Sequence, residues 1–250
     1  MSIKKFFIPV AVIFLFSNML KTQQKEEDFV GCIYKFSGNV EIFCPEKNAW
    51  EKVKKYISIK EGNKIKTGKN AFCDIVMQDG STIRLSENTE IDIITLKIKN
   101  KDQNYKFKIK FGKILGLMGK LNSTNSSINI QTPTAVMAIR GTDFSIITSS
   151  ESTHLGLFEG ELNIKTETEE EIILKPDMEA LIEEGKKATV HDRLSRIMEK
   201  EKERWQKVKE YVEEIRQKMQ ERESYLQERL KIQKSKLDDW EKRREEKLKK

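Results

Sequence analysis

Thr132-Pro133-Thr134-Ala135-Val136-Met137-Ala138-Ile139-Arg140-Gly141-Thr142-Asp143-Phe144 is the stretch on which the reading of the fold turns. An apolar run ends abruptly in Arg140-Gly141-Thr142-Asp143, then resumes at Phe144 and Ile146 with alternating character. Pro133 has no N–H to give a ladder, so Gln131 to Thr134 reads as a strand edge or a crossing connection. Gly141 permits backbone geometry or close packing that a side chain would forbid. Arg140 can make planar, bidentate contacts, and Asp143 is a natural local partner or turn acceptor. With Val136, Ile139, Phe144 and Ile146 around it, the step reads as an internal pin where two strands meet, because an unpaired buried charge is costly. The competing reading places Arg140 at an exposed corner, contacting an anion or a partner.

Outward from this stretch, the hydrophobic period from about residue 30 to 190 is two. Ala71, Cys73, Ile75 and Met77 alternate with Phe72, Asp74, Val76 and Gln78, the pattern of a well-buried strand. Tyr105, Phe107, Ile109 and Phe111 alternate with Lys106, Lys108 and Lys110, which predicts a half-exposed strand with a lysine outer face. Turn chemistry separates such runs at Ser37-Gly38-Asn39, Gln78-Asp79-Gly80-Ser81, Glu159-Gly160 and Glu184-Gly185. Asp-Gly between two alternating segments is a strong hairpin signal, since type I′ turns need positive φ. Many short strands at regular spacing predict a mainly β domain, a sandwich or roll of short antiparallel strands.

The quoted stretch resembles the signature of the FecR-like domain. The order of the surrounding pieces carries the resemblance: Gly62 and Thr67-Gly68, then Asp79-Gly80-Ser81-Thr82-Ile83-Arg84-Leu85, then Phe111-Gly112-Lys113-Ile114, and later Phe158-Glu159-Gly160-Glu161-Leu162. The likeness implies an extracytoplasmic β-rich module over residues 30–190, of a kind found in exported signalling and envelope proteins. The family motif falls on Arg140, Gly141, Thr142, Asp143 and Phe144, in a structural role. Members in iron-uptake signalling pass a periplasmic signal to a cytoplasmic sigma factor. Only five residues precede Phe6, so the cytoplasmic sigma-regulating segment of those members is not expected here.

Near His191 the period changes. Trp205, Val208, Val212, Ile215 and Met219 follow 3-4-3-4 spacing, and Leu226 keeps the heptad while Arg222 fills the intervening slot. Leu230, Leu237, Trp240 and Leu248 continue with a shifted phase, as at a stutter. Glu203–Lys207, Glu214–Lys218 and Glu245–Lys249 add helix-supporting pairs at four-residue spacing. No Pro or Gly follows Gly185, so residues 191–250 are predicted as one charged amphipathic helix, about 85–90 Å long if continuous from 192. Its stripe must be covered by a second copy, by the β-domain or by a partner helix. The seam with charged flanks favours self-association through 192–250 as a coiled coil.

Residues 1–20 read as a targeting segment. Lys4 and Lys5 flank the apolar run Phe6 to Phe16, which is short for a spanning helix and right for a secretory h-region. No A-x-A-like cleavage site follows, so residues 6–20 remain either a cleaved signal or an N-terminal membrane anchor, with 21–29 as linker. The expected location is extracytoplasmic, in the periplasm. Three cysteines, Cys32, Cys44 and Cys73, are an odd number without C-x-x-C spacing. Cys44 and Cys73 are in phase with apolar neighbours; they read as core residues, with a bridge between them left open.

The chain carries 35% charged and 37% apolar residues and a net charge of +7. Basic residues are interleaved with almost as many acidic ones and no nucleic-acid-binding pattern accompanies them, so no nucleic acid is expected as partner. Two histidines, His154 and His191, stand apart, and no nucleophile elbow, metal-binding His pair, P-loop or dinucleotide fingerprint occurs. These features predict no catalytic residues, no cofactor and no metal. The reading is a non-enzymatic envelope protein whose β-domain recognises a ligand or protein and whose helical tail serves assembly.

Overall fold

The computed structural model describes residues 30–99, 102–119 and 126–248. The proposed signal or anchor at 1–20 and the linker at 21–29 lie outside the described residues. In chain order the strands are β1 (Gly31–Ser37), β2 (Val40–Cys44), β3 (Ala49–Lys52), β4 (Ile57–Ser58), β5 (Lys64–Thr67), β6 (Phe72–Met77), β7 (Thr82–Leu85), β8 (Thr89–Lys99) and β9 (Asp102–Leu117). There follow β10 (Ser127–Gln131), β11 (Ala135–Ile139), β12 (Asp143–Thr148), β13 (Ser152–Glu159), β14 (Leu162–Thr166), β15 (Glu171–Leu174), β16 (Glu179–Glu183) and β17 (Thr189–His191). One helix, α1 (Arg196–Leu248), ends the described chain.

The strands form two layers that share β9. The residues of β9 from Asp102 to Phe111 pair with β8 and β10, and those from Gly112 to Leu117 pair with β7 and β12. One layer thus runs β4-β1-β6-β7-β9-β12-β13-β16-β17, and the other β3-β2-β5-β8-β9-β10-β11-β14-β15. Among the described residues only the β9–β10 ladder is parallel, so the sheet is mixed rather than purely antiparallel.

The changeover sits at Gly112. Its φ is +106°, and a Cβ there would lie 2.4 Å from the Thr89 Cα. Thr89 closes the crossing: its hydroxyl accepts from the Lys113 amide at 2.9 Å and donates to the Lys113 carbonyl at 3.1 Å. This bend also changes one expectation. Phe111 continues the alternation of Tyr105, Phe107 and Ile109 in sequence, yet it is 46% exposed, because a bulge opposite Glu90 and Ile91 shifts the register just before the crossing.

The core fills the space between the layers. Ile33, Ile75, Ile83, Phe144 and Leu155 come from one layer and Ile42, Ile65, Ile91, Phe107 and Met137 from the other. Alternation places these residues inward and their charged neighbours outward. Phe144 occupies the hollow over Gly116, where an added Cβ would lie 2.3 Å from the ring. The sandwich therefore needs glycine at 116 for volume and at 112 for backbone geometry.

A buried threonine cluster ties the β10–β11 turn to the neighbouring hairpin. Thr153 Oγ1 lies 2.9 Å from Thr132 Oγ1, 2.8 Å from Thr134 Oγ1 and 2.9 Å from Thr148 Oγ1. Pro133 sits within this turn, where its missing N–H removes nothing from a ladder. Cys32, Cys44 and Cys73 are free thiols, so Cys44 and Cys73 are not bridged. Burial pushes the Cys73 thiol far above its usual range, which suits an inert core residue.

Gly112→Ala is expected to lower stability by more than the roughly 1–3 kcal/mol of left-handed strain alone, because a backbone clash is added. Gly185→Ala, at φ +67° but with no atom near the added Cβ, carries the strain only. Urea unfolding of the two variants measures the difference, and equal midpoints would contradict the account of the crossing.

Candidate functional site: a helix docked on the sandwich

The strand alternation that fills the core also builds an apolar strip on the outer face of one layer. Ile114 and Gly116 of β9 face inward, so Leu115 and Leu117 face outward; Phe158 of β13 joins them. The first part of α1 lies on this strip. Trp205, Val208 and Val212 pack on Leu115, Leu117 and Phe158, with Leu194 and Tyr211 at the margin. Met198 is fully buried against Gly156, where a Cβ would lie 3.0 Å from its sulfur. Covering each such side chain contributes on the order of 1.5–3 kcal/mol, whereas exposed ion pairs such as Lys202–Asp177 contribute about 0–1. Apolar burial therefore holds the helix, and polar groups set its position.

Those polar groups are specific. The Trp205 indole N–H donates to Asp143 Oδ2 at 2.8 Å, and the Trp205 ring lies 5.5 Å from the Phe158 ring. Lys209 stands over the Trp205 ring at 4.7 Å, 3.8 Å from Asp143 Oδ2, and also pairs with Glu159. Lys113 of β9 meets Glu201 at 2.9 Å. One turn beyond Val212, Arg216 donates from Nε to the Gly80 carbonyl at 3.1 Å and from a terminal nitrogen to the Leu117 carbonyl at 3.0 Å. At the other end, the Ser195 amide donates to Glu179 Oε2 at 2.7 Å.

Burial raises the Asp143 carboxyl above its usual value, opposed by the Trp205 hydrogen bond and by Lys209. Asp79, in the β6–β7 turn, is raised by burial too, opposed by its hydrogen bonds from Ser81. Tyr211 touches the edge of the dock beside Tyr34, ring centroids 6.2 Å apart, and its buried hydroxyl has no hydrogen-bond partner among the described residues.

The five motif residues part company here. Arg140 is exposed and makes no hydrogen bond or ion pair among the described residues, so it is not the internal pin that the sequence suggested. The reason is parity: Ala135, Met137 and Ile139 point inward along β11, and Val136, Ala138 and Arg140 point outward. Gly141 turns the chain at φ +61°, Thr142 is fully buried with its carbonyl accepting from the Met118 amide at 3.1 Å, and Phe144 enters the core. Asp143 faces outward to the helix instead of bonding Arg140. A partner 62 positions away leaves no local signal; a tryptophan in the stripe, needing a partner for its N–H once buried, was the available hint.

The dock also corrects the tail. Trp205, Val208, Val212 and Ile215, expected as a coiled-coil seam beginning near 192, are covered by the β-domain. The 3-4 spacing is the same for a seam and for a stripe on a sheet, so the pattern did not separate them.

No three His, Cys, Asp or Glu side chains are grouped to hold a metal among the described residues. His154 Nε2 lies 3.3 Å from Glu179 Oε2, while His191 is exposed on β17. The hollow beside the helix, lined by Gln206, Lys209, Glu210 and Glu213, opens to solvent.

Residues 63–163 match the family model described as FecR protein. The chain carries a FecR domain over that stretch, which contains the β11–β12 motif, the Gly112 crossing and the strands beneath the dock. No curated protein matches the chain significantly. Two crystal structures described as a "putative anti-sigma factor" from Parabacteroides distasonis ATCC 8503 match at 11% identity with a TM-score of 0.44. Each match covers 52% of this chain and 59% of the other.

Asp143→Ala leaves the Trp205 N–H buried without an acceptor and is expected to destabilise by about 1–3 kcal/mol; Asp143→Asn, whose amide oxygen still accepts, is expected to lose less. The raised carboxyl binds its proton more tightly folded than unfolded. Its stabilising protonation therefore sets in as pH falls through the raised value and is complete below the usual carboxylate range near 4. Urea titrations across pH should show this contribution vanish in Asp143→Asn. Arg140→Ala is expected to leave the thermal midpoint unchanged.

Proposed function

We propose that this chain is a non-enzymatic, exported envelope protein with a signalling or regulatory role, in which the FecR domain holds a helical arm out for assembly with a protein partner. The observation that carries this reading is the division of α1. From Met198 to Arg216 the helix is anchored on the sandwich, and from there it runs on to Leu248. The second part extends about 48 Å at 1.5 Å per residue and exposes Tyr225, Ile232 and Trp240, at 55%, 43% and 58%. A helix fixed at one end with large apolar side chains exposed along the other supports association. The FecR domain supports the regulatory role, and the Lys4-Lys5 flank followed by Phe6 to Phe16 supports export.

The same apolar run supports a second reading, a sensor anchored through 6–20 that acts with a separate membrane protein. Among the described residues no helix is long and apolar enough to cross a membrane. Cell fractionation with N-terminal sequencing decides: a processed, soluble form supports the free exported protein, and an intact Met1 in membranes supports the anchored one.

The arm is tested on the full chain by analytical ultracentrifugation and by capture from its own envelope. Ile232→Glu with Trp240→Glu is expected to lower the associated mass or the recovered partner while leaving the thermal midpoint intact. Association unchanged by both substitutions would remove the arm from the proposal.

A further inference from the structure

We infer that β15 is a self-complementary edge through which two copies of this chain pair antiparallel, continuing one layer of the sandwich from copy to copy. β15 bonds to β14 on one side only. Among the described residues, no other backbone hydrogen bond involves Glu171 to Leu174, so the outward amides and carbonyls of this strand are open. Such an edge is a template for another strand.

A short edge carrying charges is ordinarily protected against pairing, and that would be the plain reading of Glu171 and Lys175. Their placement argues otherwise. The segment Glu171-Ile172-Ile173-Leu174-Lys175 has opposite charges at equal distances from Ile173. When it pairs antiparallel with its own copy about Ile173, Glu171 faces Lys175 of the other copy, and Lys175 faces Glu171. Ile172 faces Leu174, and Ile173 faces itself.

Further observations fit this register. Glu171, Ile173 and Lys175 all lie exposed on the outer side, with Ile173 at 55%, while Ile172 and Leu174 point toward the core. Neither Glu171 nor Lys175 makes a side-chain hydrogen bond or ion pair among the described residues; Glu171 stands opposite Lys165 across the β14–β15 ladder, within reach of its charge. The pairing joins positions of equal parity, so outward backbone groups of one copy meet outward groups of the other, except the Lys175 carbonyl, which already accepts from the Met178 amide at 3.1 Å. Pro176 ends the match after Lys175. A one-residue slip in either direction would set Glu171 against an apolar side chain, Leu174 or Pro176, and would turn outward backbone groups toward inward ones, which disfavours it. The occupant that the strand's own charge pattern selects is a second copy. The edge is short, so the dimer is weak and concentration-dependent.

The test is independent of the helical arm. In a full chain carrying Cys44→Ser, Ile173→Cys is expected to give a disulfide-linked dimer on mild oxidation, because facing Cα atoms in either type of antiparallel pair lie about 4.5–5.5 Å apart, within disulfide reach. Ile94→Cys, exposed on β8, is the control and should give little. Glu171→Lys added to Ile173→Cys sets Lys against Lys at both ends and should slow capture roughly fivefold to tenfold, since two cross-strand pairs change sign. Lys175→Glu together with Glu171→Lys should restore it. Capture should persist with Ile232→Glu and Trp240→Glu. Equal linking at positions 94 and 173, no recovery on the double charge swap, or loss of capture with the arm substitutions would each overturn the proposal.

Discussion

One strand belongs to both layers of this sandwich, and the molecule depends on the backbone geometry that allows it. β9 supplies Tyr105, Phe107 and Ile109 to one inner face and Ile114 to the other. Between them Gly112 takes a φ of +106° with Thr89 pressed against it. Because the two layers share a covalent chain at that point, their separation and relative twist are set by a bend rather than by side-chain packing alone. The same bend turns Leu115 and Leu117 outward, which makes the apolar strip that the helix needs. Core and dock follow from a single local requirement.

The mainly β class was legible because a period of two recurs from about residue 30 to 190, and inward residues on β5, β10, β11 and β14 follow it closely. Where it failed, a backbone irregularity intervened. Phe111 obeys the alternation in sequence and leaves it in space, because a bulge next to Gly112 resets the register. The long helix was legible from its 3-4 spacing and the lack of breakers. Its covering surface was not, since an apolar stripe at that spacing fits a sheet as well as another helix.

The motif around Arg140 shows the same limit at a finer scale. Its residue types indicated a junction between strands, and β11 and β12 do cross there from one layer to the other. Local chemistry paired Arg140 with Asp143. The alternation through Val136 and Ala138 already assigned Arg140 to the solvent side, and that global pattern outweighed the local one. Asp143 found its partner in Trp205, on an element whose placement depends on the completed sandwich. Contacts of that kind arise from tertiary geometry and leave no trace in residue spacing.

The docked part of α1 is held at widely separated points: Ser195 by Glu179, Glu201 by Lys113, Trp205 by Asp143 and Arg216 by two backbone carbonyls. Distributed fixation resists tilting far better than a single contact would. Since the free length is about 48 Å, a rotation of about 10° at the dock would sweep the far end through roughly 8 Å. The β-domain and helix together therefore have the mechanics of a crank: a tilt about Arg216 that shifts Trp205 by roughly 3 Å carries Trp240 through roughly 6 Å at 1.5 Å per residue.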